Sequence, residues 1–199
     1  ERMQTRQIST LENCFFVDSG ATYNGTNTTA TTVTVTGGTT WEPSESLTIT
    51  ASSAIFTGTG DINDAIVLTA TDGTKYRLRI TGYTSTTQVT ARVDKTLAAA
   101  FRGVATTSWA FARNTISGLS WLEGKAVSIL ADGAVIHGQT VTSGTVTLPR
   151  ACVIVTVGLP YDSDLQTLPL ALNIEGFGQG RYKNVNKAWL RRSEEHTSE

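Results

Sequence analysis

Between residues 121 and 149 the chain reads WLEGKAVSILADGAVIHGQTVTSGTVTLP, three short runs in which apolar and polar residues alternate. Alternation with a period of two sets the apolar side chains along one face of an extended strand. The joints between the runs are Asp132-Gly133 and Ser143-Gly144. Such pairs take positive φ at low steric cost and close tight hairpins whose twist matches the flanking strands. The stretch is expected to form an antiparallel meander. Nothing in it is arranged for making or breaking bonds, which favours a structural role.

The same pattern recurs along the chain. Val33 and Val35 alternate with threonines over 31–36, and Gly37-Gly38 closes that strand. SLTITAS (46–52) places Leu47 and Ile49 on one face. Residues 54–93 read as four short strands, the clearest hairpin turning at Asp72-Gly73 with Tyr76, Leu78 and Ile80 on one face. TTSWAFARN (106–114) is a strand with Trp109 and Phe111 together, and KNVNKAWLR (183–191) a last one. The apolar run from Ala151 to Val157 suggests a central strand covered on both faces. Phe15, Phe16 and Val17 make a further short strand, bounded by Asp18-Ser19-Gly20. Only DKTLAAAFR (94–102) suits a helix, with Asp94 as its cap and Gly103 as its end.

Threonine dominates the composition, supported by Val, Ile and Gly, and residues branched at Cβ suit a pleated, half-buried surface. The fold class is therefore all-β, in two small antiparallel β-barrel or sandwich modules, one inserted in the other. Residues 1–23 form the first part of the host domain, 24–104 the inserted threonine-rich module, and 105–191 the second part. With 39% hydrophobic residues among 199 the chain can bury a core. Sixteen basic residues against seventeen acidic give a net charge of −1. No basic cluster interleaved with aromatics marks a nucleic-acid surface, and no apolar run approaches a membrane span. Sequence-specific nucleic-acid binding and membrane insertion are not expected. The start of the chain lacks a signal-peptide pattern and an initiator Met, which reads as a fragment of a longer protein.

Residues 192–199, RSEEHTSE, break with everything before them. Read back into codons they match a common short-read sequencing adapter, so they are taken as an adapter-derived tail. His196 then carries no weight, and His137 is the one histidine left to consider. A hydrolase triad would need it as the base. It sits in a strand beside Gly138, without a Gly-x-Ser-x-Gly elbow anywhere, and reads as a surface or satisfied strand histidine.

Cys14 and Cys152 lie in apolar runs with no positive neighbour to lower a thiol pKa, and read as buried free thiols rather than a nucleophile or a disulfide. Asp162 and Asp164, with Glu175 downstream, have the residue types of a calcium site or an acid–base pair. They lack the other oxygen ligands, and a self-capping turn is the stronger reading. Gly176, Gly178 and Gly180 alternate without the Gly-Lys-Ser/Thr of a phosphate loop. The triplets beginning at Asn24 and Asn27 match the glycosylation pattern, as chance allows in so threonine-rich a chain. Trp41, Trp109, Trp121, Trp189 and Tyr161 have the chemistry of a sugar platform, but fall mostly on alternating strands, where core packing is the better reading. No catalytic, cofactor-binding or metal-binding residue is assigned, and no cofactor.

SGLSWLEGKAVSILADG (117–133), VGLPYDSDLQTLPL (157–170) and GQGRYKNVNKAWLR (178–191), with ERMQTRQISTLENCFFVDSGATYNG (1–25) upstream, carry a family likeness. In these strings the chain resembles virion proteins of tailed phages related to tail-nozzle, tail-tubular and head–tail stabilisation proteins. The intervening module, about 26–101, is loosely similar to the half-domain of ubiquitin-activating enzymes, without anything like their adenylating or thioester-forming sites. The resemblance implies a non-enzymatic structural component of the virion, at the tail nozzle or head–tail connector. Its expected partners are copies of itself in a ring and other tail or connector proteins. A carbohydrate- or host-surface-binding module of a phage tail is the alternative.

Overall fold

The computed structural model describes residues 17–160. Phe15, Phe16, Cys14, Tyr161, Asp162, Asp164, Glu175, the three glycines at 176, 178 and 180, Trp189 and the strand expected over 183–191 lie outside them. The described residues are all-β, as composition and alternation imply. They hold eleven strands: β1 (Asp18–Asn24), β2 (Val33–Thr36), β3 (Leu47–Ala51), β4 (Ala65–Thr69), β5 (Lys75–Ser85), β6 (Gln88–Val93), β7 (Trp109–Ile116), β8 (Ala126–Ala131), β9 (Ala134–Thr140), β10 (Val146–Cys152) and β11 (Ile154–Leu159). They pair antiparallel in a four-stranded sheet, β1-β11-β8-β9, and a seven-stranded sheet, β10-β7-β4-β5-β6-β3-β2. Neither closes into a barrel.

The alternation identified in sequence sets the burial. Val33, Val35, Leu47, Ile49, Leu78 and Ile80 are all buried on one face of the seven-stranded sheet, with Trp109 and Phe111 in the same cluster. Tyr76 packs against its margin, its ring edge-on to Phe101 at 5.7 Å. A second cluster, including Leu122, Val127, Ile129, Val146, Val155 and Val157, is built around the four-stranded sheet. The strand β7, from the segment after residue 105, pairs with β4 of the threonine-rich segment, so one sheet runs through both stretches of sequence.

Several local expectations are corrected. Residues 121–149 are not a continuous meander. The turn at Asp132 and Gly133 (φ 47° and 81°) joins β8 to β9 as expected. The turn at Ser143 and Gly144 (φ 52° and 65°) pairs only Thr142 with Thr145, and β10 then leaves β9 to pair with β7 in the other sheet. The apolar run from Ala151 is likewise divided. Its first part ends β10, and only from Ile154 does it become β11, which is central between β1 and β8. Asp18-Ser19-Gly20 does not bound a strand but begins β1, where the register shifts before Ala21.

Residues 54–93 contain three strands rather than four. The Asp61 carboxylate captures the Thr57 N–H at 2.6 Å and turns the chain into a single 3-10 turn, Thr59–Asp61. The helix expected over 94–102 does not form either. Asp94 spends its N–H on the Arg77 carbonyl (2.9 Å) and its carboxylate on the Arg77 N–H (3.1 Å), so it extends the β5–β6 ladder instead of capping. The Leu97 N–H goes to the Trp41 carbonyl (3.0 Å) and that of Gly103 to the Val35 carbonyl (2.8 Å), leaving one 3-10 turn, Ala99–Phe101.

Candidate functional site

Three features of the described residues carry polar or exposed groups that the core does not explain. The first is an edge of the four-stranded sheet. β9 is one of that sheet's two edge strands, pairing with β8 on one side and, among the described residues, with no strand on the other. Its side chains are mostly exposed, and Val135 is 60% accessible. Unpaired N–H and C=O groups along such an edge are a template for another strand. Gly138 (φ 74°) marks a bulge, where Val127 faces Gln139 but Ile129 faces Ile136. His137 is exposed at this bulge, with no acid or nucleophile bonded to it among the described residues, and makes no triad.

The second is an interior brace. Asp61 and Asp64 are both buried, held by the 3-10 turn and the start of β4. Arg113 of β7 donates to the Asp61 Oδ1 (3.3 Å) and the Asp64 Oδ2 (3.2 Å), and its guanidinium lies 4.5 Å from the Phe111 ring centre. Thr57 donates its hydroxyl and N–H to Asp61, and the Asn114 N–H donates to the Asp64 Oδ1 at 2.8 Å. Burial pushes the Asp64 carboxyl above its ordinary range, against the opposing pull of the Asn114 N–H and Arg113. Burial also raises the Tyr23 phenol, whose hydroxyl donates to the Phe111 carbonyl at 2.8 Å. All four carboxylate oxygens have partners within the protein, so the cluster ties the 54–64 loop to β7 rather than offering an acid to a substrate.

The third is a cleft of about 390 Å³ on the face of the seven-stranded sheet away from its main core. Its floor is Ala65 and Ala151 and its walls carry Arg77, Arg79 and Arg150, with Asn63 and Asn114. β5 supplies Arg77 and Arg79 because Tyr76, Leu78 and Ile80 take the opposite face. Arg150 comes from β10 by a different device. Pro149 has no N–H to give a ladder, and between Thr147↔Thr115 and Cys152↔Arg113 the register shifts, so the chain bulges at the sheet edge there.

The remaining candidates take bland places. Cys152 is buried with a free thiol, and burial raises its pKa, as expected of an unreactive cysteine. Asn24 accepts the Thr26 N–H (3.0 Å), and Asn27 bonds Thr29, Thr31 and Thr107, so both act in turns. Trp109 is in the core and Trp41 packs at its margin. Trp121 is the exception to the core reading. It stands on the 3-10 turn Ser120–Leu122, is 56% exposed, and gives its indole N–H to the Ser19 carbonyl at 3.0 Å. Among the described residues no group of three or more His, Cys, Asp or Glu is placed to hold a metal ion, and no helix is long and apolar enough to cross a membrane.

Sequence reasoning missed the brace and the cleft. The signal for half of the cleft was present in KYRLRI, where alternation puts Lys75, Arg77 and Arg79 opposite the apolar face. The other half depends on which strand β10 pairs with. No protein-family model matches this sequence, and no curated protein matches it.

Proposed function

We infer that the chain is a structural, non-enzymatic β module of a tailed-phage virion, from the tail nozzle or the head–tail connector. It assembles with copies of itself in a ring and with neighbouring tail proteins. The strings at 117–133 and 157–170 support the family, and the observation that carries the assembly is the edge of β9, which no strand covers among the described residues, with Val135 exposed on it. A free edge on one side of a subunit and a different surface on its neighbour make a heterologous contact, which closes into a ring when the rotation permits. No bond-making step is assigned to any residue. A carbohydrate-binding role would draw, among the described tryptophans, on Trp121, whose N–H is already committed to Ser19.

Native mass spectrometry of the full chain tests this reading. The expected result is a discrete cyclic oligomer that Val135→Arg returns to monomer. A wild-type chain that stays monomeric over the whole accessible concentration range would sink it.

A further inference from the structure

The face of the seven-stranded sheet opposite its main core carries a small buried cluster of Ala65, Val67, Ala112 and Ala151, and beside it brings together arginines that are far apart in the chain. In one row across it, Ala112 faces Ala65, Ala65 faces Arg79, and Arg79 faces Arg92. Arg77 stands two residues along β5 on the same face, and Arg150 reaches it from the β10 bulge. The cleft over Ala65 adjoins a second of about 340 Å³, lined by Arg92 and Thr81, and Arg79 and Asn63 belong to both. The two form one furrow.

Its charged side chains are all arginines, and among the described residues no Asp or Glu lines either cleft. Among the described residues the carboxylates within ion-pair distance of an arginine are Asp132 on Arg77 and the buried pair on Arg113, so Arg79, Arg92 and Arg150 have none. The Asn63 Oδ1 accepts from the Arg79 guanidinium, which leaves the NH2 of that amide for a ligand. Like charges directly opposite on a sheet destabilise it. Arg79 facing Arg92 is such a pair, in a chain whose net charge is −1. A bound anion relieves that repulsion.

We propose that this furrow binds a ligand carrying adjacent phosphate groups. A guanidinium fork matches the oxygens of a phosphate two at a time. The alanine floor lets a tetrahedral group approach the sheet, and two clefts sharing the Arg79 wall suit two phosphates in a row. Contacts to phosphate alone carry no base sequence, so a small polyphosphate and a nucleic-acid strand present the same chemistry.

The test is calorimetric titration of the full chain at low salt with inorganic phosphate, tripolyphosphate, a thymidine oligonucleotide and poly-glutamate. Expected is binding of tripolyphosphate, the oligonucleotide or both, weakening as salt rises. Arg79→Gln and Arg150→Gln are each expected to weaken it about tenfold. Binding of the oligonucleotide alone assigns a strand as the source, and binding of tripolyphosphate alone assigns a small ligand. Because Arg79→Gln removes a like-charge pair, the unliganded variant should melt no lower than wild type, which separates lost binding from lost folding. No binding of either phosphate polymer, unchanged binding in the doubly substituted chain, or equal binding of poly-glutamate overturns the proposal.

Discussion

Asp132 shows how much one side chain can do once its neighbours are known. Its place before Gly133 marks it as a turn residue, and its φ of 47° bears that out. Its carboxylate does more. Oδ1 accepts the N–H groups of Val153 and Ile154, both at 2.9 Å, where the chain crosses from β10 to β11, and Oδ2 lies 3.5 Å from the Arg77 guanidinium of the other sheet. Its own N–H donates to the Ile154 carbonyl at 2.8 Å. Removing the carboxylate strands two partly buried backbone donors. Asp132→Ala should therefore cost about 2 to 3 kcal/mol, and Asp132→Asn, which keeps one acceptor oxygen, clearly less. Urea midpoints of the two variants check this, and an alanine variant as stable as wild type would refute the clamp. The turn was legible in sequence because its cause is local. The clamp was not, because its partners lie some twenty and fifty residues away.

At the level of elements, strands were read where alternation met a single buried face. β2, β3 and the β4–β5 hairpin at Asp72-Gly73 are of this kind. What failed was the helix over 94–102, whose local propensity lost to backbone bonds with β5, β2 and the Trp41 loop. The pairing of β10 failed as well, since a tight turn fixes only the residues beside it. The loop before β3 shows another device that no pattern announces. The Glu45 carboxylate accepts the N–H groups of Thr39, Thr40 and Trp41. These bonds, that of Thr40 first, hold its pKa below the ordinary value. A carboxylate with a depressed folded pKa stabilises above its unfolded pKa and loses that contribution as pH falls through the folded one. Wild type should therefore lose melting temperature more steeply than Glu45→Gln between about pH 5 and pH 3. Parallel melting curves across that window would show that the loop makes no such contribution.

Across the whole of the described structure, the all-β class followed from threonine, valine and isoleucine at alternating positions. The gathering of Arg77, Arg79, Arg92 and Arg150 was hidden, because no two neighbouring segments are strongly basic and only the sheet order brings them onto one face. The two hydrophobic clusters are joined by β7, by the Asp132 clamp and by the unbroken chain through Val153, so they are expected to unfold together. Ile49→Ala in one and Ile129→Ala in the other should each lower a single transition by about 3 kcal/mol. Urea titrations followed by tryptophan fluorescence and by far-UV circular dichroism check this, and an Ile129→Ala chain with two separated transitions would count against it.

The passage from β10 to β11 has a mechanical side. One extended segment, Val146 to Leu159, is hydrogen-bonded into one sheet over its first half and into the other over its second. Antiparallel ladder bonds lie perpendicular to the strands. A pull along this segment therefore loads the bonds of both sheets in shear and together, while tension between the sheets travels through covalent backbone. The segment acts as a tie-rod, and Asp132 is the pin at its middle.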